Sequence, residues 1–118
     1  MLISHFLIIV VALIHLWIMY LEMVLWTKPK GLKIFRMSPQ KAADTKSLAF
    51  NQGLYNGFLA LALIWGVVEG QQQMQLYGLV CVFMAGVAGA VTVGKKIFFV
   101  QSVPALIAML AFWQFQYA

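Results

Sequence analysis

The chain has 118 residues and a formal charge of +5, and 64% of it is hydrophobic against 9% charged. Soluble domains are roughly half apolar and a quarter charged, so a soluble fold could not hide this much apolar surface. A nucleic-acid partner is not expected either, because there is no recognition module and the cations are explained by membrane topology and attraction to anionic head groups.

The first long apolar run extends from Leu2 to Trp26. It has no basic leading region and no small-residue cleavage site, and it is too long for a signal peptide's apolar core, so it is expected to stay in the mature protein. Its length exceeds the ~17 to 25 residues a helix needs to cross ~30 Å of hydrocarbon. Its later part, residues 15–26, contains His15 and Glu22. At 100° per residue His15, Met19, Glu22 and Trp26 fall within roughly 60° of one another, with His15 and Glu22 two turns or about 10 Å apart. Glu22 lies about 7 Å from the end of this span, too deep for a short carboxylate to reach water easily. An ionisable group at such depth is costly and marks a functional site facing the interior or a water-filled cavity.

The stretch TKPKGLKIFRMSPQKAADTKS follows, a basic loop over residues 27–47. Pro29 and Gly31 are expected to stop the first helix, and the mixture of cations with Leu32, Ile34, Phe35 and Met37 suits the bilayer surface. Ser38 before Pro39 has the form of a helix cap with proline at the first helical position. The second helix therefore starts near Pro39 and enters the membrane near Leu48.

The second span, residues 48–68, opens with FNQGLYNGF. Its Asn51, Gln52, Tyr55 and Asn56 cover an arc of about 140°, wider than helix-to-helix contact alone requires. The third span, residues 76–93, carries small residues at helical spacing, Ala85 with Gly89 and Gly86 with Ala90 and Gly94, a stripe that lets backbones approach closely. The single Cys81 in that span has no partner for an internal disulfide or a cysteine-based metal site and is expected in the core. Pro104 is expected to kink the fourth span, residues 97–113, and to free a carbonyl.

Lys28, Lys30, Lys33, Arg36, Lys41 and Lys46 lie between spans one and two, and Lys95 and Lys96 between spans three and four, while the Glu69 to Gln75 connection has no Lys or Arg. The positive-inside rule then puts both basic loops in the cytoplasm and both termini outside. Trp26 falls near the cytoplasmic interface and Trp65, Trp113 and Tyr117 near the outer one, whereas Trp17 falls near mid-span. The expected architecture is all-α, a single four-helix transmembrane bundle over residues 1–118. With Thr92 and Gln101 near their cytoplasmic ends, polar groups from all four spans converge on the cytoplasmic half. The candidate ligand-binding residues are Glu22, His15, Asn51, Gln52, Tyr55, Asn56 and Gln101.

No cofactor is expected. His5 and His15 lie ~15 Å apart along one helix, too far to ligate one haem, and a metal at His15 and Glu22 would find only amides on the other spans.

The stretches IHLWIMYLEMVLW, NQGLYNGFLALALIWG and FVQSVPA resemble those of the small bacterial membrane proteins grouped as Domain of Unknown Function 1304, over nearly the whole chain. The resemblance implies a four-span protein of the bacterial cytoplasmic membrane and brings no activity, cofactor or functional residue. Small multidrug transporters are similar in length, in having four spans and in a glutamate in the first. Here all the cations fall on one side, and Glu22 lies nearer the interface than the glutamate those proteins use for proton-coupled exchange.

Three functions follow as expectations. The first is binding or transport of a small polar or amphipathic molecule in the cytoplasm-facing cavity, with Glu22 able to couple it to proton movement. The second is acid/base chemistry by Glu22 and His15 on a lipid-like substrate, of the kind an isomerase performs. The third is a structural subunit of a membrane complex, including a homodimer through the glycine-rich third span. Membrane lipids are partners in all three.

Overall fold

A computed structural model describes residues 2–117, with side chains described for residues 3–114. The side chain of Tyr117, expected in the outer aromatic belt, lies outside the described residues. The protein is all-α over this range: α1 (Leu2–Met23), α2 (Pro29–Phe35), α3 (Pro39–Val68), α4 (Gln72–Thr92), α5 (Lys95–Ile97), a π-turn (Phe98–Ser102) and α6 (Val103–Tyr117). It divides into two compact units, Ile14–Phe58 and Met1–Leu13 with Leu59–Ala118.

Among the described residues, three helices are long and apolar enough to cross a membrane: Ile3–Met23, Gln72–Thr92 and Lys95–Gln114. This is a membrane protein by the length and composition of those helices. The expected second span lies within α3, whose 30 residues reach ~45 Å. It is not among the three, because Asn51, Gln52 and Asn56 dilute the apolar run in its middle.

In the unit Ile14–Phe58, α1 stops at Met23, where the N–H groups of Val24 and Leu25 both donate to the Tyr20 carbonyl (2.9 and 3.2 Å). The stop comes before Pro29 and Gly31, which the sequence assigns to ending that helix. Pro29 instead opens α2, since a missing N–H costs nothing in the first helical turn. Gly31 is buried within α2, where a Cβ would run into the Leu25 carbonyl oxygen. Only glycine lets α2 lie so close to the end of α1.

Arg36 closes α2 in the left-handed conformation (φ 51°, ψ 51°). Its N–H donates to the Lys33 carbonyl (3.4 Å) and that of Met37 to Leu32 (3.0 Å), the double bond pattern of a Schellman cap. The end of α3 repeats this pattern with Gly70 (φ 65°): Gly70 N–H to Val67 at 3.3 Å and Gln71 N–H to Gly66 at 2.8 Å. A side chain at such a position costs about 1 to 2 kcal/mol that glycine avoids. Ser38 caps α3 as its sequence predicts, its hydroxyl accepting from the Lys41 N–H at 3.1 Å.

Two aromatic contacts tie α2 into its unit. Trp26 packs on Phe35 (ring centroids 4.8 Å apart) and donates its indole N–H to the Thr45 hydroxyl at 3.0 Å. Lys30 reaches back so that its ammonium lies 5.2 Å from the ring centre of Trp17, a cation–π contact that accounts for a tryptophan inside the first span.

In the other unit, Gln75 is fully buried and donates to the Gly66 carbonyl at 2.8 Å, fixing the turn from α3 into α4. Further along α4, Gly86 and Gly89 face Ser102 and Ile97. The Ser102 hydroxyl donates to the Phe83 carbonyl at 2.8 Å. The small-residue stripe therefore divides, with Gly86 buried in this crossing and Ala85 exposed. Around Pro104 the helix takes a π-turn, in which the Val103 N–H donates to Phe98, five residues back. The expected disturbance thus lies on the N-terminal side of the proline.

Candidate functional site

The face of α1 that carries Met19, Glu22 and Met23 packs on a face of α3 built from Gly53, Asn56 and Gly57. A Cβ on Gly53 would stand 2.6 Å from Met23 Cγ, 3.1 Å from Glu22 Cβ and 3.2 Å from the Met19 carbonyl oxygen. One on Gly57 would stand 2.7 Å from the Met19 sulfur. Two glycines four residues apart form the groove that lets a second membrane helix approach to backbone distance. The closeness brings a short amide within reach of a carboxylate: Asn56 Nδ2 donates to Glu22 Oε1 at 2.6 Å.

Asn56 is buried and Glu22 half-buried. The bond uses one carboxylate oxygen and one amide hydrogen. The second carboxylate oxygen, the amide oxygen and the other amide hydrogen are what the pair can offer a ligand. Chemically it can accept hydrogen bonds from a bound molecule, bind positive charge, or take up and release a proton.

Of the residues singled out in the sequence, Glu22 and Asn56 are brought together. His15 lies on α1 seven residues before Glu22 and is fully buried, with 1% of its surface exposed. Asn51, Gln52 and Tyr55 lie on α3 with exposed side chains, Tyr55 at 58%. Gln101 is half-buried in the π-turn and belongs to the other unit. Thr92 turns its hydroxyl back to the Ala88 carbonyl of its own helix at 2.8 Å. No three His, Cys, Asp or Glu side chains gather in metal-binding geometry among the described residues.

Gly53 and Gly57 were legible as a pair spaced by four, but the amides Asn51, Gln52 and Asn56 are the louder signal in the same stretch. The Trp26–Thr45 hydrogen bond and the Lys30–Trp17 contact had no sequence signature.

Residues 9–113 match the family described as Protein of unknown function (DUF1304). The chain belongs to this family. The uncharacterized protein YpaA of Lactococcus lactis subsp. lactis (strain IL1403) is similar, 30% identical over 105 residues that cover 86% of this chain and 88% of the relative. No solved structure matches the chain. The matched region includes Glu22, Gly53, Asn56, Gly57 and the α2 loop, so all of these lie within the part shared with this DUF1304 family.

Proposed function

We propose that the protein binds or transports a small polar or amphipathic molecule at the Glu22–Asn56 pair, in a four-span bundle of the bacterial cytoplasmic membrane with both termini outside. The basic residues after α1 and before the π-turn support that orientation. The observation that carries the function is a carboxylate within an apolar span paired to a neutral amide, Asn56, at 2.6 Å. Burying a charge without an opposite charge is expensive, and a ligand that supplied donors or positive charge would offset that cost. Glu22 can also exchange a proton with such a ligand, which would couple its movement to a proton gradient.

A second reading has its own support. The close fit of Gly53 and Gly57 on Met19 and Met23 is what a purely structural helix pair would show, with the Glu22–Asn56 bond as its clamp.

Native mass spectrometry of the protein released from lipid nanodiscs separates the two. Glu22→Gln keeps an oxygen to accept from Asn56 but removes the charge, so its stability should stay within about 1 kcal/mol of wild type. Binding at the pair predicts a discrete small-molecule adduct on wild type that is missing from Glu22→Gln. Equal stability with no adduct on either protein leaves the clamp as the reading that survives.

A further inference from the structure

We infer that the α2 loop is a built site for the head group of an anionic phospholipid, independent of what occupies the Glu22–Asn56 pair. α1 is long and apolar enough to span the membrane and ends at Met23, so the segment that follows it lies at the level of the lipid head groups. Lys28, Lys30, Lys33 and Arg36 are concentrated there, with all four side chains exposed. Between the cations, Ile34 and Phe35 are also exposed, at 40% and 38%. Cations interleaved with exposed apolar side chains suit a surface that touches both phosphate and acyl chain.

What distinguishes this loop from a diffuse basic patch is that it is held rigid. Gly31 locks α2 against the Leu25 carbonyl, Trp26 packs on Phe35, and the Schellman cap fixes the chain at Arg36. Lys30 and Lys33 are three residues apart on α2 and so lie on one side of it. The two caps of the same form make the point from another direction. At the end of α3, where the position asks only for backbone freedom, the chain uses Gly70; at the end of α2 the same left-handed geometry carries a guanidinium. An arginine there carries a planar, phosphate-matching group on a fixed point of the backbone. Of the two acids that flank the loop in sequence, Glu22 accepts from Asn56 at 2.6 Å and Asp44 from Gln40 at 2.9 Å.

The test compares two double variants that remove the same charge. Wild type, Lys33→Gln with Arg36→Gly, and Lys41→Gln with Lys46→Gln are placed in nanodiscs of equal parts phosphatidylglycerol and phosphatidylcholine with matched acyl chains. The lipids retained on release are counted by native mass spectrometry. Glycine at position 36 suits the left-handed cap, so that variant loses charge without losing its fold, which a thermal unfolding scan checks. Wild type should retain phosphatidylglycerol in preference. The α2 pair should lose that preference about tenfold or more, from roughly fivefold for each cation at a membrane surface, and the α3 pair less than about twofold. Equal retention of the two lipids by wild type overturns the inference. So does an equal drop in both variants, which would show diffuse attraction, or release of the lipid by millimolar inorganic phosphate, which would show a site for the free anion.

Discussion

Two helix crossings in this protein start from the same device and end in different chemistry. In one, Gly86 and Gly89 of α4 receive Ser102 and Ile97; in the other, Gly53 and Gly57 of α3 receive Met19 and the side chains of Glu22 and Met23 of α1. Each adds one polar bond across the contact. At the first crossing the Ser102 hydroxyl donates to a backbone carbonyl, and Gln75 does the same at the α3–α4 turn. Such bonds satisfy a neutral donor at little cost, and that is how this chain joins helices when joining is the whole task. At the second crossing the polar group is a carboxylate. A hydroxyl or an amide at position 22 would hold the helices as well, so the charge is more than cohesion requires. The contrast supports a ligand role for Glu22.

The contrast can be broken in measurable ways, all by denaturant titration in a mild detergent. Gly86→Ala has the largest expected effect, because its Cβ would meet the Ser102 backbone nitrogen at 2.7 Å and backbone cannot move aside. It should cost about 3 kcal/mol. Ser102→Ala removes one helix-to-carbonyl bond and should cost about 1 kcal/mol. The smallest change is Gly57→Ala, whose Cβ meets only the flexible Met19 thioether. There the gain in helix propensity and the displacement of a pliant side chain nearly cancel, and stability should move by less than about 0.5 kcal/mol. Reversal of the order of Gly86→Ala and Gly57→Ala would mean that the α1–α3 crossing is the tighter of the two.

Much of the fold was legible because membrane spans are written in long apolar runs. Ser38–Pro39 announced the start of α3 to the residue, since a capping hydroxyl and a proline at the first helical position act locally. Pro29 and Gly31 misled for the same local reason. Both residues break helices in the interior, but proline is harmless in a first turn and glycine is required where a neighbouring carbonyl comes too near, and only the tertiary structure reveals the second. At the site, Glu22 was readable as the acidic residue of the first span. However, α1 ends at Met23, one residue beyond it, rather than at Trp26, so Glu22 lies closer to the helix end than the expected distance of about 7 Å. Which of the four polar residues of α3 meets Glu22 was not readable, because an arc of about 140° offers several candidates and the groove made by Gly53 and Gly57 selects Asn56.

The π-turn carries a consequence for how the last helix can vary in length. Ile97 and Ser102 are five residues apart, yet they meet Gly89 and Gly86, which are three apart on α4. On an α-helix, residues five apart diverge by about 140° around the axis. Winding with bonds that reach five residues back brings them onto the same side. The turn is thus a one-residue correction of phase. Losing a single residue between Phe98 and Gln101 would leave Ile97 and Ser102 four apart, a spacing that ordinary α-winding also aligns. The same loss anywhere after Ser102 would rotate everything beyond it by about 100°.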